Sequence, residues 1–316
     1  METFWIRPKL YFGPEPLEAL SALAGKRVLI VTDAFLASSG LLDRVKARLT
    51  GEVSVFDRVE PDPSLRLVAE GVRAVRTFRP EAVVAFGGGS PMDCAKAMCW
   101  FSGDRDLPLY CIPTTAGTGS EVTSFAVLTD TDQGVKYPLV EDGLLPEGAI
   151  LEPAFLDGVP PKVTADTGMD VLTHAAEAAA AVGANPFTDA LAESAFALAW
   201  RALPRAYQGD RAAKAEMLYA SCMAGVAFNA ADARAAEKYA RLARRCGLTA
   251  NPRALSAALV RLRTGLGIPA RLDLPPAELK AALPALSAAA LSDVCLPGNP
   301  RPVAAADVEA MMEALV

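Results

Sequence analysis

The stretch Val83–Thr123 restricts the fold of this chain more than any other. Ala82–Phe86 is a continuous apolar run and reads as a buried strand. Gly87, Gly88 and Gly89 follow directly, so the backbone can turn tightly and approach a ligand closely. Ser90 can serve as an N-cap, Pro91 suits the first helical position, and Asp93 stands where a capping-box acid would reach back. A helix opening there presents free N–H groups, and its dipole favours an anion. Strand, glycine turn and helix start together predict a phosphate cradle.

A second motif, Pro113–Thr123, adds hydroxyls at Thr114, Thr115, Thr118, Ser120 and Thr123, with Gly117 and Gly119 between them. Such a loop can hydrogen-bond a phosphate, a ribose or an amide. A polar turn between core strands would look similar in isolation. Two such motifs, each after an apolar strand, favour a nucleotide site.

The surrounding chain alternates strands and helices. Arg27–Asp33 reads as the first buried strand, Leu41–Leu49 as a helix, Glu52–Val59 as a strand, Ser64–Thr77 as a helix and Leu107–Ile112 as a strand. That alternation predicts a mostly parallel sheet covered on both faces, a Rossmann-like α/β arrangement. Asp33, at the end of an early strand, either holds a ribose hydroxyl and disfavours a 2′-phosphate or caps the next turn. Phe125–Thr129 and Val135–Val140 read as a β-hairpin that carries Lys136. After Pro160 and Pro161 strand signals stop and alanine-rich helical spacing takes over. The expected division is an α/β dinucleotide-binding domain over residues 1–158 and an all-α domain over residues 159–316.

A net charge of −6 argues against a nucleic-acid surface. The six cysteines are scattered without C-x-x-C pairs, which suits a reducing cytoplasm better than a disulfide scaffold. No apolar run is long enough to span a bilayer. The chain holds a single histidine, His174.

Asp170 and His174 are four residues apart, so on a helix they face the same way and could ligate one divalent cation. Alone, that spacing is more often structural. The residues around it, TGMDVLTHAAEA at 167–178, change the weight. Together with GGGSPMDCAKA, PTTAGTGSEVTSFAVLTD, VKYPLV, AILEP, GANPFTDALAESAF and ASCMAGVAF, they resemble the iron-containing (group III) alcohol dehydrogenase family over nearly the whole chain. METFWIRPKLYFG and KYARLARRCG are similar to its branch of 1-propanol dehydrogenases from propanediol-utilising microcompartments.

That resemblance implies a dehydroquinate-synthase-like architecture and NAD(H) as cofactor. Asp33 would lie at the adenosine ribose, and Gly88, Gly89, Ser90, Asp93, Thr114, Thr115, Thr118, Thr123 and Lys136 would lie along the dinucleotide. It implies ferrous iron or zinc held by Asp170 and His174, with two further histidines from a later helix and loop. It also implies a short aliphatic aldehyde or alcohol such as propionaldehyde, a homodimer or higher homo-oligomer, and a place in the cytoplasm or inside a bacterial microcompartment.

One departure matters. Relatives continue after the segment ending at Phe228 into a histidine-bearing stretch of about three dozen residues, whereas this chain passes straight to Asn229–Tyr239. Cys222 and Asp232 are the substitutes nearest in sequence, with no spacing that supports either. Two explanations are open. The segment has been lost, leaving a non-catalytic NAD-binding relative, or further residues lie between about Phe228 and Lys238 and the dehydrogenase is complete. The clean family match on both flanks favours the second.

Overall fold

The computed structural model describes residues 4–229, 236–293, 295–299 and 302–316. Its first half holds β1 (Lys9–Tyr11), β2 (Val28–Val31), α1 (Ala34–Ser38), α2 (Leu41–Lys46), β3 (Val53–Phe56), α3 (Leu65–Phe78), β4 (Ala82–Gly87), α4 (Gly89–Ser102), β5 (Leu109–Pro113), β6 (Phe125–Asp130), β7 (Val135–Val140) and β8 (Gly148–Ile150). Strands β2, β4 and β5 are apolar and buried throughout, as expected of a parallel sheet covered on both faces. The sheet has six parallel strands in the order β1-β8-β5-β4-β2-β3. β6 and β7 form a separate antiparallel hairpin.

The α/β reading is therefore correct, with shorter elements. The expected helix Leu41–Leu49 closes at Lys46, and the strand Glu52–Val59 narrows to Val53–Phe56. Ser64 caps α3, its side chain accepting from the Leu67 amide at 3.1 Å. Edge strand β1 and its neighbour β8 are only three residues each, too short for a period to show.

From Pro161 onward the described residues form helices without strands: α5 (Pro161–Ala180), α6 (Pro186–Tyr207), α7 (Arg211–Asn229), α8 (Ala236–Arg245), α9 (Pro252–Gly265), α10 (Pro276–Leu291) and α11 (Ala305–Glu313). Local chemistry places their starts. Asn185 and Thr188 make a reciprocal capping box with Pro186 at the first helical position of α6. Asn251 caps α9. Helices α5, α6 and α7 pack around Val171, Leu172, Phe196, Leu203, Met217 and Leu218, and this core is continuous with Ala149 and Leu151 of the sheet region. Lys214 ties the connecting segment down, its buried ammonium donating to the carbonyls of Leu156, Asp157 and Val159 at 2.9–3.2 Å. Asp189 and Glu193 of α6 bind Lys238, Arg241 and Arg245 of α8, so ion pairs dock that basic helix together with the burial of Leu242 and Ala243 in the helical core.

Candidate functional site

The chain passes from β2 outward to β3, then returns to lay β4 on the other side of β2. Crevices of open α/β sheets form at such a reversal, outside the carboxyl ends of the strands. β2 ends here in Thr32 and Asp33, and β4 ends in the glycine turn. The Asp33 carboxylate accepts the Leu36 amide at 2.8 Å and so caps α1. The Thr32 hydroxyl beside it is buried without a protein partner. Next to Ala34 lies an open cavity of about 750 Å³, lined by Asp57, Glu60, Asp62 and Glu70 together with Arg58 and Arg66. Arg58 is already paired with Glu70 at 2.8 Å. This acidic rim opposes a 2′-phosphate and favours a free ribose hydroxyl.

The glycine turn departs from expectation in one respect. Helix α4 begins at Gly89 with Gly88 as its N-cap and no capping side chain, so Ser90 lies inside the first turn. Glycine makes the earlier start possible. Gly87 adopts φ 155°, and a Cβ on it would lie 2.5 Å from the Pro91 ring. A Cβ on Gly88 would come within 3.2 Å of the Thr115 hydroxyl, and one on Gly89 within 3.0 Å of Thr118. The helix N-terminus and the threonine loop thus close into one cradle in which a side chain on Gly88 or Gly89 would press on the threonines. The cradle fits a dinucleotide pyrophosphate.

Asp93 does not reach back to cap the helix. Its carboxylate turns inward, accepting the Ser120 hydroxyl at 2.7 Å and the Val127 amide at 3.1 Å. Lys96, one turn on, is buried and donates to Ser120 Oγ at 2.9 Å, Thr123 O at 2.8 Å and Phe125 O at 2.8 Å, with Thr123 Oγ1 at 3.4 Å. Burial pulls the Lys96 ammonium down and pushes the Asp93 carboxyl up, while each opposes the shift of the other. Glu121 is buried as well, and burial pushes its carboxyl up to about 7.

The threonine loop is wedged between the cradle and the helices. A Cβ on Gly117 would lie 2.8 Å from Cβ of Thr167 on α5, and one on Gly119 would lie 2.8 Å from the Gly225 backbone on α7. Asp170 and His174 stand further along α5, with Asp170 Oδ1 3.7 Å from His174 Nε2. The His174 ring lies 5.1 Å from Phe228, which in turn lies 6.0 Å from Phe125 at the base of the hairpin. Asn229 closes the same corner, accepting the amide and hydroxyl of Ser124 at 2.8 and 3.0 Å.

The structure therefore gathers Gly88, Gly89, Ser90, Thr115 and Thr118 at the cradle. It sets Thr114 and Thr123 in the buried part of the loop, and Asp33 across the crevice. Lys136 stands apart on the exposed face of the hairpin, paired with Asp62 at 2.7 Å on the cavity rim. Lys96, Phe228 and Asn229 escape motif reasoning. Only Lys96 left a signal, an Asp-x-x-Lys pair among apolar neighbours of a helix.

A metal fits this site poorly. Among the described residues no three His, Cys, Asp or Glu side chains are placed to hold an ion. Asp170 and His174 are two donors, and a catalytic site takes at least three. Cys222 does not supply the third. It is buried in the helical core, and burial raises its thiol well above the usual range. Asp232 lies outside the described residues.

Comparison with known proteins places these features in a family. The model for iron-containing alcohol dehydrogenases matches residues 8–153, and that for the C-terminal part of the Fe-containing alcohol dehydrogenase family matches residues 164–236. 1-Propanol dehydrogenase PduQ of Salmonella typhimurium is 39% identical over 370 aligned positions that cover 100% of both proteins. Those 370 positions against 316 residues leave 54 with no counterpart in this chain. The iron-containing alcohol dehydrogenase of Thermococcus thioreducens superposes with a TM-score of 0.90 at 27% identity, covering 99% of each chain. The sulfoacetaldehyde reductase of Bifidobacterium kashiwanohense, solved in complex with NAD+, gives 0.83 at 27% identity over 100% of this chain and 98% of its own. By sequence and fold alike, the chain belongs to the iron-containing alcohol dehydrogenase family.

Proposed function

We propose that this protein binds NAD(H) across the crevice between β2 and β4 and interconverts a short-chain aldehyde and its primary alcohol, of the propionaldehyde and 1-propanol class. The observation that carries the reading is the cradle of Gly88 and Gly89 at the α4 N-terminus, closed by Thr115 and Thr118. Its N–H groups and helix dipole suit a pyrophosphate. Asp33 and the acidic cavity rim suit a ribose with a free 2′-hydroxyl, and hence NAD rather than NADP. The 1-propanol dehydrogenase among the relatives supports the substrate class.

The bound nicotinamide supplies or accepts the hydride. The protein contributes position. The threonine loop orients the nicotinamide half, and Phe125, Phe228 and the His174 ring form an aromatic corner between loop and helices that suits a short aliphatic chain. The family uses iron with NAD(H). Among the described residues the donors do not complete a metal site. Assembly as a homodimer or larger oligomer and residence in a microcompartment belong to the same proposal. Among the described residues no helix is long and apolar enough to cross a membrane.

The test is oxidation of NADH by propionaldehyde with the purified chain. Turnover that saturates in both reactants supports the reading, and absence of turnover with intact NADH binding replaces it with the second reading. That alternative, a non-catalytic NAD-binding relative, is favoured by one observation, the single histidine of the chain.

A further inference from the structure

We propose that the cavity between α6 and α9 is a second, non-catalytic binding site that takes a medium-chain carboxylate, its acyl tail inside and its head group on Arg261.

Helix α8 packs on both α6 and α9. Beyond its end, at Leu248, the two flanking helices stand apart and leave a cavity of about 380 Å³. Pro204 lies on the α6 wall, where it removes a ladder hydrogen bond and crowds the preceding turn. Trp200, Tyr207, Leu248, Leu262 and Leu266 make the rest of the apolar wall. Small-molecule sites have this make-up, apolar walls with a few polar groups, at about 300–1,000 Å³. A docked helix, about 10–12 Å across with its side chains, needs more room than that. One acyl chain does not.

The polar groups of the wall select the head group. They are Gln208, the Tyr207 hydroxyl and Arg261, and among the described residues no Asp or Glu lines the cavity. Arg261 is exposed and has no carboxylate partner among the described residues. Residues 201–263 carry 12 Lys and Arg against 4 Asp and Glu, in a chain whose net charge is −6. This part of the chain therefore draws an anion and repels a cation. A planar guanidinium receives a carboxylate through two parallel hydrogen bonds.

Gly265, the last residue of α9, also lines the cavity, and a Cβ on it would meet nothing within 4 Å. A leucine there favours the helix and takes up the space of the acyl chain. That gives a variant in which loss of the site is separated from loss of the fold.

The experiment is isothermal titration of decanoate, below its micelle concentration, into the full chain without cofactor. Octanoate, decanol and decyltrimethylammonium are compared, and melting temperature is measured on each variant. Wild type should bind one decanoate, bind decanol more weakly and leave decyltrimethylammonium unbound. Octanoate should bind roughly 15-fold more weakly than decanoate, from about fourfold per buried methylene. Arg261→Leu should weaken decanoate about 3- to 10-fold and leave decanol unchanged. Gly265→Leu should abolish binding with the melting temperature unchanged or raised. A decanoate-induced change in tryptophan fluorescence that disappears in Trp200→Phe would place the ligand in this cavity. Absence of saturable decanoate binding to the wild type overturns the proposal, as does decanoate binding retained in Gly265→Leu or decanol binding as tight as decanoate. Binding to vesicles of anionic phospholipid without binding of monomeric decanoate also overturns it, and would make this face a lipid-surface contact. None of these readouts depends on the NAD(H) reading.

Discussion

His174 Nε2 lies 3.7 Å from Asp170 Oδ1, one turn away on the same helix, and no third metal-binding side chain joins them among the described residues. Two donors hold a divalent ion weakly. The purified chain is therefore expected to carry far less than one iron or zinc per protein after dialysis. Elemental analysis by mass spectrometry reads this without an activity assay. Stoichiometric metal that disappears in His174→Ala would show that the missing donors are supplied after all, from residues 230–235 or a second chain.

The cradle makes a more local prediction. Gly89→Ala adds a methyl that would lie 3.0 Å from Thr118 Cγ2, tighter than ordinary van der Waals contact. Threonine must give by a few tenths of an ångström, and the added methyl itself narrows the cradle. An overpacking cost of about 1–3 kcal/mol translates into an NADH Kd raised roughly 5- to 150-fold. Because Thr118 is exposed, the melting temperature should change little. Equal affinity in the variant would place the dinucleotide elsewhere.

Gly119 carries two demands at once. Its φ is +63°, and a Cβ would lie 2.8 Å from the Gly225 Cα of α7. Gly119→Ala should cost about 2–4 kcal/mol, the left-handed backbone and the backbone clash adding together. Chemical denaturation should show it as a lower midpoint with an unchanged slope. Gly134, also at positive φ in the hairpin turn but with open space around it, should tolerate asparagine with little loss.

How far these features were legible in the sequence depended on whether they were local. The strand–glycine–helix unit at Ala82–Ser102 follows from apolar continuity and backbone freedom within a dozen residues, and the structure forms it. The helix start was misplaced by one or two residues, since Ser90 can cap only if the turn is longer than Gly87 and Gly88 make it. Asp93 looked like a capping acid because its true partners, Ser120 and Val127, are 27 and 34 residues away. Of the two readings of Asp33, the structure forms the local one. It caps α1, and the ribose role stays a proposal for the same carboxylate. Glu121 was unreadable for a similar reason. A glutamate in a loop rich in threonine and glycine looks solvated, and only the close approach of Gly119 to Gly225 closes the helical layer over it.

That burial makes Glu121 the main pH-sensitive group of the loop. Its carboxyl is pushed up to about 7, first by desolvation, with Lys96 of α4 acting in the opposite direction. Cys111 of β5 and Cys222 of α7 face it from the other sides, both held protonated by burial. One carboxylate oxygen has no hydrogen-bond partner. In the unfolded chain the same carboxyl ionises near its usual 4.5. Below that pH both states are protonated and the group is neutral for stability. Between about pH 4.5 and 7 the unfolded chain releases the proton and the folded protein keeps it, so stability falls as pH rises. Above pH 7 both are ionised and the full penalty persists, about 3 kcal/mol for a gap of this size. Glu121→Gln removes the ionisation while keeping the shape. Its melting temperature should exceed that of wild type at pH 8, match it near pH 4.5, and lack the wild-type decline between. Parallel pH–stability curves for the two proteins would mean that Glu121 is already ionised and paired in the folded state.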